Sequence, residues 1–173
     1  MKRLRLLAVP LLVLGLACAA NQPAHANILI QIDKPSQTMT VSVDGKVRYR
    51  WYVSTGATSF STPPGTYKPF RMEVMHYSQE WDNAGMPHSI FFTSRGHAVH
   101  GSNHPGLGTP VSHGCVRLTL SNATTLYQLV GARGMADTTV IVRGPDPPGH
   151  FAATQIPKRQ PAGPGVGSGV GPF

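Results

Sequence analysis

From Ile28 onward apolar side chains recur at every second position, and that period of two commits the first part of the chain to β-strands. Ile28, Ile30 and Ile32 alternate with Leu29, Gln31 and Asp33. After a Lys34-Pro35-Ser36 turn, Met39, Val41 and Val43 alternate with Thr38, Thr40 and Ser42, and Val47, Tyr49, Trp51 and Val53 with basic and polar residues. Such alternation describes strands with one buried and one wet face. Asp44-Gly45, between the second and third runs, predicts a two-residue hairpin loop, because both of its central positions need positive φ.

The pattern weakens further along. Ser61-Thr62-Pro63-Pro64-Gly65 reads as a turn into a short strand, Thr66 to Phe70. Residues 74–90 lack alternation and read as a long loop or a loose hairpin, although Tyr77, Trp81 and Met86 make it unusually apolar for a surface excursion. Ile90-Phe91-Phe92 and Ala98-Val99 predict further strands, as does Thr138 to Val142. One helix is expected, with Ser121 as N-cap, Leu126, Leu129 and Val130 on one face and Gly131 beyond its end. With 40% hydrophobic and 13% charged residues in 173, a packed core is attainable and full disorder is excluded. The expected unit is one mainly β domain with one short helix, residues 27–143. Residues 144–173 become rich in Pro and Gly and are expected to form a disordered tail.

The net charge of +8 is partly a leader effect. Lys2, Arg3 and Arg5 precede an apolar run from Leu6 to Ala20, and Ala24-His25-Ala26 ends in small residues. This describes a secretory signal peptide, residues 1–26, with cleavage after Ala26 as first choice and after Ala19 as second. The run is too short to span a bilayer, so no integral membrane span is expected after cleavage. Without those residues the chain carries +5, scattered rather than blocked, which argues against a nucleic-acid partner. Cleavage removes Cys18, or Cys18 carries a lipid; in either case Cys115 is the other cysteine of the chain. An unpaired cysteine in an exported protein is a liability unless its thiol is used or is buried and inert.

Reactive side chains concentrate in His97-Ala98-Val99-His100-Gly101-Ser102 and in Ser112-His113-Gly114-Cys115-Val116-Arg117-Leu118. A thiol becomes a competent nucleophile near neutral pH when an imidazole takes its proton. Gly114 permits a backbone that turns successive N–H groups toward a substrate oxygen. Gly101 leaves room for substrate, or lets a carbonyl turn onto the His100 ring. A zinc site from His97, His100, His104, His113 and Cys115 competes with this reading. The neighbouring residues predict strand and loop rather than a ligand-bearing helix, and no carboxylate lies near as general base.

His100-Gly101 followed by Ser112-His113-Gly114-Cys115-Val116-Arg117 resembles the signature of the L,D-transpeptidase catalytic domain, the YkuD family. The stretch 102–111, Val53-Ser54-Thr55-Gly56 and Thr62-Pro63-Pro64-Gly65 share the resemblance, which covers Ile28 to about Val142. It implies a β-sandwich or barrel-type catalytic domain located in the periplasm or cell-wall space. It implies Cys115 as nucleophile and His100 as general base, with the Gly101 carbonyl orienting the imidazole. The N–H groups of His113, Gly114 and Cys115 would form an oxyanion hole. Arg117 would steady the nucleophile loop or meet a substrate carboxylate. Peptidoglycan stem peptides are the implied substrates, with wall-linked proteins a further possibility; no cofactor or metal is implied. The thioester would form at the third stem residue with loss of D-Ala, then pass to an amine as a 3-3 cross-link. Water as acceptor would give a carboxypeptidase or a wall-protein-detaching hydrolase instead, and a non-catalytic wall-binding module is the remaining alternative. In the implied loop, Met86-Pro87 is followed by His88 where family members often carry an aromatic residue. A shared proton between His100 and Cys115 predicts fast thiol alkylation well below the free-cysteine pKa of about 8.5.

Overall fold

The computed structural model describes residues 27–104 and 106–147; the expected signal peptide and the expected disordered tail beyond 147 lie outside the described residues. The three alternating runs form β1 (Ile28–Asp33), β2 (Thr38–Val43) and β3 (Lys46–Tyr52), each antiparallel to the next. Asp44 and Gly45 take φ of 52° and 75°, as the hairpin requires. Ile28, Ile30, Ile32, Met39, Val41 and Val43 are buried, the set that a period of two places on one face. β3 departs from that rule, with Val47 and Tyr49 exposed and Trp51 half-buried against Tyr49. As the outermost strand it has a neighbour on one side only, so alternation there does not amount to burial.

The first sheet runs β3-β2-β1-β9-β4, with β4 at Gly65–Tyr67 and β9 at Thr138–Arg143. β9 returns from the far end of the chain to lie parallel to β1, setting Val140 beside Ile30 and Val142 beside Ile32. β4 is shorter than the expected Thr66–Phe70 strand. The second sheet runs β5 (Arg71–Ser78), β6 (Ala84–Phe91), β7 (Ala98–Gly101) and β8 (Val116–Leu118), with β7 and β8 parallel. Residues 74–90 are therefore mostly a regular hairpin and not a loop. Pro87 hid it from a pattern reading, and the fold tolerates this proline because β7 pairs with β6 only at Ile90 and Phe91.

The helix α1 spans Leu120–Arg133. Its cap is Thr119 rather than Ser121: the Thr119 hydroxyl accepts from the Asn122 N–H at 3.2 Å. Gly131 lies inside the helix, which ends at Gly134. Ala123, Leu126 and Val130 face inward, and α1 packs on β6, β7 and β8. The core joins both sheets and this helix through Ile30, Met39, Val99, Val116, Leu118 and Leu126. Among the described residues no helix is long and apolar enough to cross a membrane.

Candidate active site

Val116 and Leu118 are fully buried and pair with Val99 and Gly101. Cys115, one residue before β8, is thereby held at the edge of the core, partly exposed and packed against Ala98, Phe91 and Met86. Two buried hydroxyls pin its loop. Ser112 donates to the Cys115 carbonyl and accepts from the Gly114 N–H at 3.1 Å. Thr62 donates to the Gly114 carbonyl at 2.8 Å and accepts from the Gly56 N–H at 2.9 Å. Gly114 has φ of 110°, a conformation that strains any L side chain, and a Cβ there would press the His97 ring at 3.0 Å. The Gly114 N–H, expected to serve an oxyanion, is bonded to the Ser112 hydroxyl here.

His100 is buried at 6% exposure and stands opposite Arg117 in the β7–β8 register. Ala98 and His100 alternate to the same face of β7, so the imidazole shares a face with the thiol that packs on Ala98. The His100 Nδ1 lies 2.8 Å from the Gly101 carbonyl. A carbonyl only accepts, so Nδ1 carries the proton and Nε2 keeps its lone pair. Burial lowers the His100 pKa to about 4, against a smaller opposing effect of the Gly101 bond, with Arg117 and His76 adding to the lowering. The space behind Gly101 belongs to α1, not to substrate: a Cβ would press Leu120 and Ala123 at 3.0 and 3.2 Å.

Burial pushes the Cys115 thiol pKa up; a backbone hydrogen bond at Ala98 and the Arg117 charge oppose this, and Glu80 reinforces it. Both shifts run against a standing thiolate–imidazolium pair. Sγ also makes a 3.8 Å contact to the Gly96 carbonyl. The thiol and the imidazole are thus both neutral, the states from which a base can take a thiol proton as a carbonyl is attacked.

The His113 ring stacks on Trp81 at 3.7 Å and meets Phe60 edge-on at 5.0 Å. It thus ties the turn of the β5–β6 hairpin to the loop that carries Cys115. Its pKa is lowered by burial first, then by Arg117 and His104. Arg117 donates from Nη1 to the Val111 carbonyl at 3.3 Å, and its backbone pairs with Ser54. His97 bonds Thr93 at 2.8 Å through Nδ1. Among the described residues no three His, Cys, Asp or Glu side chains converge as a metal site would need. Cys115 opens into a cleft of about 700 Å³ whose lining includes Arg71, Glu80, Trp81, Arg95, His97 and His113.

The sequence reading assigned no role to Thr62, Lys34 or Trp81. Thr62 stands in a motif quoted for resemblance, but its bond to Gly114 spans 52 positions. Lys34 is buried at 2% exposure and donates to the Thr62 carbonyl at 3.1 Å, to Ser61 at 3.3 Å and to Asp146 at 2.9 Å.

The family described as YkuD, L,D-transpeptidase catalytic domain, matches residues 27–142. An L,D-transpeptidase from Stackebrandtia nassauensis is 32% identical, covering 75% of this chain and 60% of its own, with a TM-score of 0.59. One from Mycobacterium smegmatis is 28% identical over 69% of this chain and 59% of its own, with a TM-score of 0.62. One from Xylanimonas cellulosilytica is 25% identical over 70% and 63%, with a TM-score of 0.58. The chain thus spans about three-fifths of the length of these solved structures. No curated protein matches it.

Proposed function

The chain belongs to the YkuD family of L,D-transpeptidase catalytic domains, and on that premise we propose that it is an exported peptidoglycan L,D-transpeptidase with Cys115 as nucleophile. The observation that carries the reading is a cysteine held at the floor of an open cleft by Ser112 and Thr62. An inert core thiol needs neither the access nor the pinning.

The Cys115 sulfur adds to the carbonyl of the third stem residue while its proton passes to Nε2 of His100. The Gly101 carbonyl holds the ring for this and stabilises the imidazolium that forms. The N–H groups of His113 and Cys115 are the donors we assign to the developing oxyanion, a donor of this type being worth about 3–4 kcal/mol of barrier. The C–N bond then breaks, and His100 returns the proton to the departing D-Ala amine. In the second half an acceptor amine attacks the thioester, His100 takes its proton, and the thiol is re-formed as the 3-3 link closes. The energy of the old peptide bond passes through the thioester, so no nucleotide is consumed. Arg117 steadies the loop and favours negative charge on sulfur.

The test is incubation of the purified protein with tetrapeptide muropeptides, with products weighed by mass spectrometry. Cross-linked dimers that have lost D-Ala are expected from the wild type and none from Cys115→Ala. Tripeptides alone would assign hydrolysis by the same acyl-enzyme, and unchanged substrate would remove the enzymatic reading.

A further inference from the structure

The cleft over Cys115 carries two guanidinium groups that the acyl-transfer steps do not use. Arg71 lies 3.7 Å over the Phe91 ring and is steadied by Glu73 at 3.1 Å. Phe91 belongs to the small apolar cluster on which Cys115 packs, so this cation is one side chain removed from the sulfur. Arg95 directly precedes Gly96, whose carbonyl is the thiol's 3.8 Å partner. It is exposed and makes no ion pair among the described residues. Glu80 is the one carboxylate in the lining, and Glu73 is already shared between Arg71 and His76.

We infer that Arg71 and Arg95 form a carboxylate-recognition site beside the nucleophile, so that the protein prefers peptides bearing a free carboxylate next to the attacked carbonyl over their amidated forms. The inference deepens the proposed transpeptidase reading and rests on it. Planar guanidinium groups match carboxylates in geometry as well as charge. Successive residues of a peptide are about 3.8 Å apart, so a carboxylate one residue beyond the attacked carbonyl lies over the same cleft that Arg71, Arg95 and Cys115 line together. The same chemistry is offered by the C-terminal carboxylate of the leaving residue and by a side-chain carboxylate of the third residue.

The first measurement needs no turnover. Cys115 is alkylated at pH 9 and low salt with iodoacetate, which is anionic, and with iodoacetamide, which is neutral. Taking the ratio of the two rates cancels the fraction of thiolate. Arg71→Gln/Arg95→Gln is expected to lower the ratio about threefold or more, and high salt to lower the wild-type ratio likewise. Arg95→Gln alone, which disturbs no packed ring, should lower it in part, and Glu80→Gln should raise it. An equal ratio in the wild type and the double variant overturns the inference. The second measurement compares three tetrapeptides in the transfer reaction: free acid, C-terminal amide and third-residue side-chain amide. The amide that masks the recognised carboxylate is expected to raise KM about tenfold in the wild type and little in the double variant. Which amide does so identifies the source, and equal KM for all three overturns the preference. Loss of all turnover with the alkylation ratios as expected would remove the transpeptidase reading and leave the anion site standing.

Discussion

Burial raises the pKa of one member of the Cys115–His100 pair and lowers that of the other, so the two are poised as neutral partners. The midpoint of iodoacetamide alkylation against pH is therefore expected above the free-cysteine value of about 8.5. His100→Ala should leave that midpoint in place while abolishing acylation by substrate. A midpoint near neutrality that His100→Ala removes would establish a standing ion pair instead. The sequence expectation of fast alkylation at low pH took account of an imidazole's presence but not of burial, which has no signature in a local motif. Cys115, Gly114 and Ser112 were legible together because four consecutive residues build that loop. Thr62 and Lys34 were not, since the bond from Thr62 to Gly114 spans 52 positions and those of Lys34 to Ser61 and Thr62 span 27 and 28, and spacing in a chain does not give contact.

Elements were legible where periodicity and burial coincide. β1, β2 and the Asp44-Gly45 turn follow from alternation because both strands are flanked by others. The β5–β6 hairpin was only half legible, since Val74, Met75 and Tyr77 are exposed apolar residues that break the expected pattern. β8 is three residues long, too short for any period to show. At the helix, Ser121 offered the right chemistry two residues too late, and the hydrogen bond belongs to Thr119. Thr119→Ala is expected to cost about 1 kcal/mol of stability, whereas Ser121→Ala, in the first turn, should cost less than about 0.5 kcal/mol. Urea unfolding of the two variants ranks them, and the reverse order would return the cap to Ser121.

At the scale of the whole molecule, the fold class was readable because two sheets and one helix share a main core. The ordering of strands was not, because β9 reaches β1 from more than a hundred residues away. The neutral buried His100 makes the native state sensitive to acid. Its folded pKa of about 4 lies below the ordinary 6.5, so the unfolded chain binds the extra proton first. Its contribution is present in full above pH 6.5 and is lost as pH falls toward 4, by about 3 kcal/mol in all. Urea midpoints measured between pH 7 and pH 4 should fall accordingly, and His100→Gln should flatten the curve. A wild-type midpoint constant over that range would contradict a buried neutral imidazole. The bonded path from Asp146 through Lys34 to Thr62, and on to the Gly114 carbonyl, places one more demand on the chain. The last strand ends at Arg143, yet a protein cut there would strand a buried ammonium beneath the segment that grips the Cys115 loop. The working boundary of the domain is therefore electrostatic rather than architectural, and any fusion or trimming has to begin after the aspartate.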